Sequence, residues 1–550
     1  MNLSGGLMNV YKEGEYKIPE MIAKTGYDFD IILISGEYYD DHPLSPVGVI
    51  AKVLDSKGYR VGIIEKPETK DQFTRLGAPR LCFGITSGSI DSMVHNYTPL
   101  KRKRSVDIHS DVTKLPDRAV IFYCNKIKEY FKGCTLVIGG IEASLRRFAH
   151  YDYWENNIRR SILLDSRAHV LVYGNGEKQI IQIAEHLEQG KELRGIPGTC
   201  ILSKELDASF DLLPSFQEVR DDKKKFCSMQ LKFLNEKNLA QEYTNNYVLQ
   251  YAYPNYTTRD LDWIYSLDFT RQLHPKSLLK MGKFSVVVHR GCIGGCNFCS
   301  LSLHQGNRII SRSEASILAE IKKLASHPDF KGYIDDLVGP SSNMYGMECK
   351  SPTKDARSCH NDCITCSQLN KTHTRLIALL RKARHIKGVK KIFIRSGIRY
   401  DLALESKEYI QEISQHHISG CLKIAPEHFS DNVVSLMGKD NSRFDEFLSY
   451  FSSINKQRKQ ALRYYFMIGH PGDNLSEVLY LRDIIRKKHL ENIEQFQVFT
   501  PTPMTMSSCM YWTGLDPRTG KHVEVVYEYG MKKKLKRVML DLTRRESQEN

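Results

Sequence analysis

The sequence predicts an α/β protein in which two regions of mostly parallel sheet follow one another along the chain. Strand-like and helix-like hydrophobic periods alternate from residue 29 and again from residue 284, as they do in strand–helix–strand units. The 550 residues exceed what a single hydrophobic core usually serves, so several domains are expected. Apolar residues make up 41% of the chain and charged residues 26%, which is the balance of a globular protein.

The first region, residues 1–195, is predicted to be a doubly wound, Rossmann-like α/β domain. Its short apolar segments are typical of buried parallel strands separated by helices. The predicted strands are FDIILIS, RVGIIE, LCFGIT, CTLVIGG and HVLVY, and the predicted helices include PVGVIAKVLDSKG and RAVIFYCNKIKEYFKG. Ligands on such sheets bind at the carboxyl ends of the strands, where this chain has the polar loops SGEYYDDHPLSP, TSGSIDSM and GGIEASLRR.

The remaining chain is predicted to contain three further parts. Residues 196–280 lose the alternation and are predicted to form a connector or a small helical subdomain, with no chemistry assigned to it. Residues 281–512 are predicted to form a parallel (β/α)6 part-barrel, whose active site lies at the carboxyl ends of its strands. Residues 513–550 are predicted to be a basic helical tail with a solvated face.

Six strands and several helices support the part-barrel. The predicted strands are FSVVVH, YIDDLV, KIFIR, CLKIA, RYYFMI and QFQVF. The clearest helices are TRLIALLRKARHIKG and SEASILAEIKKLA, and Ser311 and Glu314 have the spacing of a capping box at the start of the second of these.

Composition and charge exclude some classes of function and leave others open. No apolar run approaches the roughly 18 residues that cross a bilayer, and the N-terminus has no signal-peptide pattern, so a cytoplasmic protein without a membrane partner is expected. The net charge of +15 favours polyanionic partners without naming one. RNA is possible, but no compact basic motif with interleaved aromatic residues supports it.

Fourteen cysteines carry most of the chemical information. In an intracellular protein, clustered cysteines indicate metal ligands more often than disulfides. Half of the fourteen are scattered, and most of these stand beside apolar residues as small buried side chains do: Cys82, Cys124, Cys134, Cys200, Cys227, Cys421 and Cys509. The other seven lie between residues 292 and 366 and form two groups.

The first group has the spacing CxxxCxxC and follows the first strand of the part-barrel directly. Its members are Cys292, Cys296 and Cys299, with glycines at 291, 294 and 295 that let the backbone fold closely around a bulky inorganic centre. A 4Fe-4S cluster normally takes four thiolates, so three would leave one iron open. The alternatives are inert thiols and a zinc site completed by His304 or His289; the preceding strand and Phe298 favour the iron–sulfur cluster.

The second group repeats this spacing in a different setting. It comprises Cys349, Cys359, Cys363 and Cys366, without a preceding strand, without glycines, and with Thr365 where the first group has Phe298. Four thiols are enough to close a metal site. The group predicts an auxiliary 4Fe-4S cluster or a structural zinc site, and four unligated thiols are the alternative.

These motifs resemble those of a known superfamily. The pattern CxxxCxΦC with an aromatic Φ is similar to the signature of radical S-adenosylmethionine (SAM) enzymes. The chain as a whole, from about residue 28 to residue 514, resembles the YgiQ-like family of radical SAM proteins. That resemblance rests on DHPLSP, LGAPRLCFGITSGSIDSM, GGIEASLRRFAHYDYW, YGNGE, RGCIGGCNFCSL, SGIRYD, LKIAPEH and GHPG.

The resemblance implies a mechanism and its partners. Cys292, Cys296 and Cys299 would hold a catalytic 4Fe-4S cluster whose open iron binds SAM, and an electron from a donor such as flavodoxin or ferredoxin would cleave SAM reductively. The 5′-deoxyadenosyl radical so formed would abstract hydrogen from a substrate. The family has no assigned reaction, so the substrate stays unnamed.

The resemblance also implies which residues hold the cofactor. Phe298 belongs to the cluster signature. Gly339 and Pro340 stand where the superfamily places a backbone contact to the methionyl amine, although many relatives have GlyGlyGlu there. The fifth-strand glycine motif, along the adenine, corresponds to Gly469, Pro471 and Gly472, with Asp473 in place of the commoner glutamate. Ser396, Arg399 and Glu427 could reach the ribose or the methionyl carboxylate, or be ordinary loop residues.

Related radical SAM enzymes often carry a cobalamin-binding domain before the barrel. Gly139 and Gly140 are similar to the glycine pair of that domain. The cobalt-ligating pattern DxHxxG is met only in part, by Asp40, Asp41 and His42, because Ser45 stands where glycine is expected. Cobalamin is therefore one hypothesis, and a substrate-binding or purely architectural domain is the other.

Three functions follow from these observations. The leading one is a radical SAM enzyme acting on an unknown substrate. The second is a methyl- or methylthiotransferase acting on RNA or protein. The third is a non-catalytic iron–sulfur or zinc protein that transfers electrons or serves as a scaffold. Formation of 5′-deoxyadenosine from SAM distinguishes the third from the first.

Overall fold

The computed structural model describes residues 28–104, 115–233, 237–350 and 363–546. They form two compact units. The first runs as far as Lys225 and also includes Lys232–Asn255 and Leu267–Lys283; the second consists of Phe226–Leu231, Tyr256–Ser266 and the chain from Phe284 onward. Within the described residues, no helix is both long enough and apolar enough to span a bilayer.

A nine-stranded sheet organises the first unit. Its strands are β1 (Ile31–Ser35), β2 (Val61–Glu65), β3 (Cys82–Thr86), β4 (Leu136–Ile138), β7 (Val170–Val172), β8 (Thr199–Ser203), β9 (Asp211–Leu212), β10 (Leu239–Tyr243) and β11 (Asn246–Gln250). The order is β2-β1-β3-β4-β7-β8-β11-β10-β9, and the first five strands are parallel. A separate antiparallel hairpin pairs β5 (His150–Asp152) with β6 (Asn157–Arg159). The predicted doubly wound α/β arrangement is confirmed.

Local sequence explains the helices that cross this sheet. In α1, Pro46 occupies the first turn and the side chain of Ser45 accepts a hydrogen bond from the Gly48 amide, so the helix begins where both residues favour it. The helices of the first unit are α1 (Pro46–Asp55), α2 (Lys70–Thr74), α3 (Ser92–Asn96), α4 (Ala119–Tyr130), α5 (Gly140–Ser144), α6 (Ile162–Ser166), α7 (Glu177–Glu188) and α8 (Phe216–Asp221), with a 3-10 turn at Leu278–Gly282. Most of α9 (Lys223–Lys232) belongs to the second unit.

The interval 196–280, for which the sequence predicts a connector or a small helical subdomain, contains sheet as well as helices. Strands β8, β11 and β10 continue the large sheet in antiparallel pairs, and β9 adds a short parallel edge. The sequence pattern did not show them because β10 and β11 are antiparallel, with polar residues such as Gln241 and Gln250 among the apolar ones.

The second unit holds the six predicted strands, two of which are short and interrupted. Its strands are β12 (Val286–Val287), β13 (His289–Arg290), β14 (Ile310–Ser311), β15 (Tyr333–Ile334), β16 (Leu337–Val338), β17 (Lys391–Ile392), β18 (Cys421–Glu427), β19 (Ala461–Ile468) and β20 (Ile493–Val498). Parallel pairs join β12 to β16, β15 to β17, and β18 to β19 to β20. A parallel bridge between Ile398 and Ile424 links the third predicted strand to the fourth. This chain-order pairing is the order that a part-barrel requires.

Helices separate these strands and pack on them. They are α10 (Thr258–Ser266), α11 (Leu301–Gln305), α12 (Glu314–Ala325), α13 (Thr374–Arg384), α14 (Tyr400–Ala403), α15 (Lys407–His416), α16 (Asp431–Met437), α17 (Phe444–Asn455), α18 (Leu475–Lys487), α19 (Met506–Thr513) and α20 (Tyr529–Glu546). Fully buried residues from successive strands form the core: Val286, Ile334, Ile392, Leu422 and Phe466. The basic tail joins this core through Leu535, Met539 and Leu542, so only part of α20 is solvated.

The predicted capping box at the start of α12 is wrong. Ser313 is the N-cap, and its side chain accepts a hydrogen bond from the amide of Ser316. Ser311 instead lies in β14, where its hydroxyl accepts a hydrogen bond from the Gly346 amide at 2.9 Å. The spacing rule failed because two serines precede the helix and only the tertiary pairing of β14 decides which one is free to cap it.

Candidate functional site

The cluster loop, residues 291–299, leaves β13 at the carboxyl end of the first strand of the second unit. Gly291 has φ +84°, and a side chain there would collide with the Arg308 carbonyl, so this turn requires glycine. The amide of Cys292 donates to the Gly306 carbonyl at 3.1 Å. At the other side, the amide of Asn297 donates to the Met437 carbonyl at 2.8 Å. The loop is therefore held on both sides before any ligand binds.

The three thiols of this loop are half-buried. A Cβ atom added at Gly294 would lie 2.9 Å from Arg399 Nη1, 3.4 Å from the Cys292 sulfur and 3.8 Å from the Cys296 sulfur, so these three groups lie close together. The amide of Cys299 donates to the Cys296 carbonyl at 3.1 Å in the same loop. Three thiols on one loop beside a guanidinium fit the chemistry of an iron–sulfur cluster.

Burial makes these thiols poor ligands until a cation reaches them. It raises the pKa of Cys292 and raises the pKa of Cys299 to about 12, because a buried thiolate loses its hydration. The positive charge of Arg399 acts in the opposite direction on the pKa of Cys292. Bound iron would lower the pKa of these thiols further, since metal coordination deprotonates a thiol outright.

Among the described residues, no three His, Cys, Asp or Glu side chains converge on one ion position. A single zinc ion would hold its sulfur ligands about 3.8 Å apart, as follows from a tetrahedron with bonds of about 2.3 Å, whereas a cluster spreads its thiolates over separate irons. Zinc completed by His289 or His304 stays the alternative to the cluster at this loop.

Arg399 connects the cluster loop to the end of the third strand. Its Nη2 pairs with Asp401 Oδ2 at 2.5 Å, and its Nη1 lies 3.8 Å from the Cys296 sulfur. Both side chains of the ion pair are only 15% exposed. Burial disfavours the charged guanidinium, but Asp401 more than offsets this and raises the pKa of Arg399, so a fixed cation stands beside the thiols.

Two other predicted cofactor residues have partners in the chain. The hydroxyl of Ser396 donates to the carboxylate of Asp336, which lies between β15 and β16. Glu427, at the end of β18, has φ +67°, a conformation that non-glycine residues adopt only under strain. Its carboxylate lies 3.7 Å from Lys439 Nζ, and burial raises its pKa. Glu427 therefore faces the interior at the strand ends, while Ser396 is engaged elsewhere.

The glycine motif after β19 is held by Asp473. Gly469 and Gly472 have φ +70° and +91°, and the amide of Gly469 donates to Asp473 Oδ2 at 2.6 Å. Pro471 lies between them, and its carbonyl accepts a hydrogen bond from His470 Nδ1 at 2.8 Å. The carboxylate that replaces the commoner glutamate thus closes the turn on which the motif depends.

Two histidines at this place were not predicted as site residues. His470 packs edge-on against Phe298 with ring centroids 6.3 Å apart, and its Nε2 accepts from the Ser507 hydroxyl at 2.6 Å. His428 Nε2 lies 3.6 Å from Asp473 Oδ1, and both side chains are fully buried. Burial lowers the pKa of each histidine to about 3 and raises that of Asp473 to about 7. Their signal was their place inside LKIAPEH and GHPG.

The loop after the second strand brings the residues at Gly339 and Pro340 to the same strand ends. The amide of Ser342 donates to the Gly397 carbonyl at 3.1 Å. The side chain of Asn343 donates to the Arg399 carbonyl at 2.9 Å. Gly339 lies against the imidazole of His289, which a Cβ atom at 339 would overlap. These bonds set the loop at the edge from which the cluster loop also leaves.

The second cysteine group lies partly outside the described residues, since Cys359 belongs to the undescribed interval. Cys349 is exposed and pairs in an antiparallel bridge with Leu369. The amide of Cys366 donates to the Cys363 carbonyl at 3.3 Å. Cys363 and Cys292 pack on one small apolar cluster, which comprises Ile293, Ile309, Met344, Met347, Leu369 and Leu402. The two cysteine groups are thus neighbours in the second unit.

In the first unit, the loop after β1 does not offer His42 to a cobalt ion. The Leu44 amide donates to His42 Nδ1 at 3.1 Å, and His42 Nε2 donates to the Lys283 carbonyl at 2.9 Å. Asp40 accepts from the Ser277 hydroxyl and from the His274 amide at 2.6 and 2.8 Å. Asp41 pairs with Lys52 at 3.3 Å. The residues of the partial DxHxxG pattern therefore fasten this loop to residues 270–283 and to α1.

The predicted glycine pair is half-exposed. Gly139 is extended, with φ −162°, and Gly140 has φ +84° with the Thr86 hydroxyl where its side chain would lie. The two engaged nitrogens of His42 do not fit histidine-ligated cobalamin at these residues.

Comparison with known proteins identifies relatives along nearly the whole chain. The family model described as "Radical SAM N-terminal" matches residues 17–286. A UPF0313 protein of Methanocella arvoryzae is 43% identical over 534 residues, covering 92% of this chain and 89% of its own. The UPF0313 protein MJ1155 of Methanocaldococcus jannaschii is 42% identical, with coverage of 93% and 89%.

Among solved structures, the chain is similar to TsrM from Kitasatospora setae, a radical SAM methyltransferase with cobalamin and a 4Fe-4S cluster bound. The TM-score is 0.52 at 15% identity, over 88% of this chain and 78% of TsrM. At that identity the likeness concerns the fold.

Proposed function

The chain belongs to the UPF0313 family and to the radical SAM proteins, and on this premise we propose that it is an enzyme that cleaves SAM reductively at a cluster held by Cys292, Cys296 and Cys299. Family membership confirms the resemblance that the motifs indicated. What we propose beyond family membership is the iron–sulfur cluster, the cleavage of SAM and the modification of a substrate.

One observation carries the proposal. The cluster loop is fixed on both sides by backbone hydrogen bonds, and the sulfurs of its first two cysteines lie close to Gly294, beside Arg399. Three thiols on a loop held at the carboxyl end of the first strand, next to a fixed cation, are what an anionic iron–sulfur centre needs.

The chain's own residues would position SAM around this centre. Arg399, held by Asp401, keeps a positive charge 3.8 Å from the Cys296 sulfur. Glu427 faces the same strand ends as a carboxylate paired with Lys439. The glycine motif of Gly469 and Gly472, fixed by Asp473, would lie along the adenine, as the resemblance implies.

When bound, a reduced 4Fe-4S cluster supplies the electron that breaks the sulfonium bond of SAM, and the resulting 5′-deoxyadenosyl radical takes hydrogen from the substrate. The first electron would come from a low-potential donor such as flavodoxin or ferredoxin in the cytoplasm.

The experiment that tests this function uses the full chain after anaerobic reconstitution with iron and sulfide. With dithionite and SAM, we expect 5′-deoxyadenosine to form, and we expect Cys296→Ala to abolish it together with most of the bound iron. Cys134→Ala, a half-buried cysteine of the first unit, is the matched control and should retain both. A wild-type protein with a full cluster and no product would favour an electron carrier or scaffold instead.

We propose a second metal centre at Cys349, Cys359, Cys363 and Cys366, either an auxiliary 4Fe-4S cluster or a zinc site. Cys363 shares its apolar contacts with Cys292, so a redox centre there would stand near the first. Iron near eight atoms per chain after reconstitution would support the auxiliary cluster, as two 4Fe-4S clusters contain eight. Iron near four, with one zinc, would support the structural site.

No step of this proposal passes through cobalamin. The similar fold of TsrM binds cobalamin, but the imidazole of His42 has both nitrogens engaged within this chain. A methyltransferase that acts on RNA or protein therefore stays the second candidate, without a corrinoid ligated by His42. A corrinoid absorbance spectrum after growth with cobalamin, with a shift on His42→Ala, would contradict this.

A further inference from the structure

A short hairpin of the first unit, residues 96–104, concentrates positive charge at the surface. It begins at the end of α3, and Tyr97 and Lys103 face one another across it in an antiparallel bridge. Its second half, residues 101–104, is a run of four lysines and arginines, all of them exposed. We call this segment the basic hairpin.

Aromatic residues that are distant in sequence pack against the basic hairpin. Tyr153 and Trp154 end the motif GGIEASLRRFAHYDYW, for which the proposed function has no use. The Tyr153 hydroxyl donates to the Pro99 carbonyl at 2.6 Å. The Trp154 ring lies 5.7 Å from the ring of Tyr153 and 6.4 Å from that of Tyr97, measured between centroids. The fold therefore joins the basic run to three neighbouring aromatic rings.

Two lysines of the hairpin lie over these rings. Lys101 Nζ is 4.6 Å from the centroid of Tyr153, and Lys103 Nζ is 6.0 Å from that of Tyr97. A cation–π contact uses none of the three N–H donors of an ammonium group, so both lysines keep their capacity to bind an anion. The rings of Tyr97 and Trp154 are only half-buried.

Nearby carboxylates do not neutralise the hairpin. Asp152 is buried and pairs with Arg118 at 3.0 Å, and Glu155 pairs with the same guanidinium at 2.7 Å. Asp117 accepts a hydrogen bond from the Tyr97 hydroxyl at 2.6 Å. Among the described residues, no carboxylate forms an ion pair with three of the four cations, namely Lys101, Lys103 and Arg104.

The combination of unpaired cations and partly exposed rings selects one kind of partner. Single-stranded nucleic acid offers phosphates to the cations and unpaired bases to the rings, since every base has a face that can stack. A membrane surface fits less well, because no large hydrophobic side chain of the described hairpin is strongly exposed for insertion. An acidic peptide would use the cations and leave the rings without a partner.

We propose that the basic hairpin binds single-stranded nucleic acid, with phosphates at Lys101 and Lys103 and bases against Tyr97 and Trp154. The assignment goes beyond the proposed function, because it gives the first unit a macromolecular partner and requires neither the cluster nor SAM.

The test measures binding of a labelled oligouridylate of about 15 nucleotides to the full chain, by fluorescence anisotropy at several salt concentrations. In the double variant Lys101→Gln, Lys103→Gln we expect binding about tenfold weaker near 0.1 M salt. We also expect the slope of log Kd against log salt to fall by about 1.4, since each phosphate contact to a single strand contributes about 0.7 to it.

The aromatic contact is tested separately. Trp154→Leu should weaken binding at least about fivefold without changing the salt slope, because a stacked base is lost and no charge is. Trp154→Phe keeps a ring and should bind more tightly than Trp154→Leu. Tyr97→Leu replaces the Leu variant at 154 if that protein does not fold, and the same loss is expected.

A matched control removes the same charge elsewhere in the first unit. Lys223→Gln with Lys224→Gln changes two exposed lysines of another basic run and should leave both the affinity and the salt slope as in the wild type. Thermal midpoints of all variants are measured in the same samples. Duplex RNA of equal length should bind more weakly than the oligouridylate, because its bases are already stacked inside the helix.

Several outcomes would overturn the assignment. They are absence of oligouridylate binding by the wild type, equal binding by the Lys101, Lys103 double variant, and an equal loss in the Lys223, Lys224 control. Equal affinity for the duplex would overturn the role of the rings. Tighter binding to phosphatidylglycerol vesicles or to polyglutamate would assign the hairpin to a membrane or to an acidic protein instead. None of these measurements uses SAM, so failure of the proposed function, seen as absence of 5′-deoxyadenosine, is a separate result.

Discussion

Two buried histidines, one in each unit, differ in the hydrogen bonds that their imidazole rings make. His42 lies in the loop after β1 and His289 lies in β13, each near a motif that the sequence singled out, and burial lowers the pKa of each to about 3. Within the chain, His42 Nδ1 accepts a hydrogen bond from the Leu44 amide and its Nε2 donates one to the Lys283 carbonyl. His289 has no partner for either nitrogen among the described residues.

This difference distinguishes a structural hydrogen-bond network in the first unit from a candidate binding site in the second. At the loop after β1, most polar groups pair with one another in a network that includes Asp40, Asp41 and Arg271, and Oδ1 of Asp41 is the exception. At the strand ends of the second unit, several buried polar atoms lack described partners, namely both nitrogens of His289, Nε2 of His428, Oδ1 of Asp473 and Oγ of Ser342. Unsatisfied buried polarity is costly, so it is kept where a ligand completes it.

The largest expected effect is at Gly294, between the thiols. Gly294→Val places a branched side chain within contact distance of the sulfurs of Cys292 and Cys296, so we expect most of the iron to be lost on reconstitution and 5′-deoxyadenosine formation to fall at least about a hundredfold. Iron analysis and product assay measure this.

Gly295→Ala is the matched control in the same loop. Position 295 has φ +61° but open space around it, so the variant carries backbone strain of about 1–2 kcal/mol and should keep its iron. Equal iron loss in both variants would show that the loop responds to strain and not to filling of the space between the thiols.

The next effect is a pH dependence at Asp473. Burial raises its folded-state pKa to about 7, above the unfolded value of 3.8, so the protonated form stabilises the fold. This contribution is complete below about pH 4 and is lost as pH rises to about 7. Asp473→Asn removes the titration, so its stability relative to the wild type should increase over that interval, by no more than about 4 kcal/mol.

Urea unfolding at several pH values between 4 and 8 measures the difference between Asp473→Asn and the wild type. Asp483→Asn changes an exposed carboxylate of α18 and should give a flat difference. A flat difference for Asp473→Asn as well would mean that the chain supplies this carboxylate with a partner in solution.

A smaller effect tests the two histidines directly. His42→Leu leaves the Leu44 amide without its acceptor and should lower the free energy of unfolding by about 2–3 kcal/mol. His289→Leu removes two unpaired polar atoms and should not destabilise the SAM-free protein. Chemical denaturation of both variants measures the contrast, and a greater loss at His289 than at His42 would reverse the interpretation of the two regions.

The smallest effect concerns a polar contact of the second unit that the chain satisfies by itself. Ser313→Ala removes the N-cap of α12 and should cost about 1 kcal/mol. Glu314→Gln, which alters only a surface pair with Lys382, should change stability by less than about 0.5 kcal/mol. Thermal unfolding of both variants measures the two losses of stability. A larger loss for Glu314→Gln than for Ser313→Ala would favour the predicted capping box.

Elements with a strong local pattern could be predicted from sequence. Strands β1, β2 and β3 are continuous apolar runs, and α1 and α4 have clear helical periods, so each was placed within a few residues. Strands β8 to β11 were not, since antiparallel pairing of polar segments leaves little periodicity. The predicted N-cap of α12 was wrong because Ser311 lies in β14 and does not precede the helix directly.

The candidate site also contains residues that could be predicted from the sequence and residues that could not. The cluster loop could be predicted because its three cysteines, its glycines and Phe298 lie within nine residues. The positions of His428 and His470 at the site could not, because Asp473, which lies 3.6 Å from His428, and Ser507, which donates to His470, lie on other elements. Ser396, which the resemblance offered as a cofactor contact or an ordinary loop residue, donates its hydroxyl to Asp336, 60 residues away in sequence, a contact that no local pattern indicates.

By itself, the sequence determined the α/β class, the order of the two sheet regions and the cysteine spacing that indicates a cluster. Hydrophobic periods and metal-ligand spacing act over a few residues and are therefore visible along the chain. Only the tertiary structure decided which buried polar groups are satisfied. His42 meets Lys283 across 241 residues, whereas His289, three residues from Cys292, meets no described partner at all. Hydrogen bonding depends on distances in space, which no local pattern records.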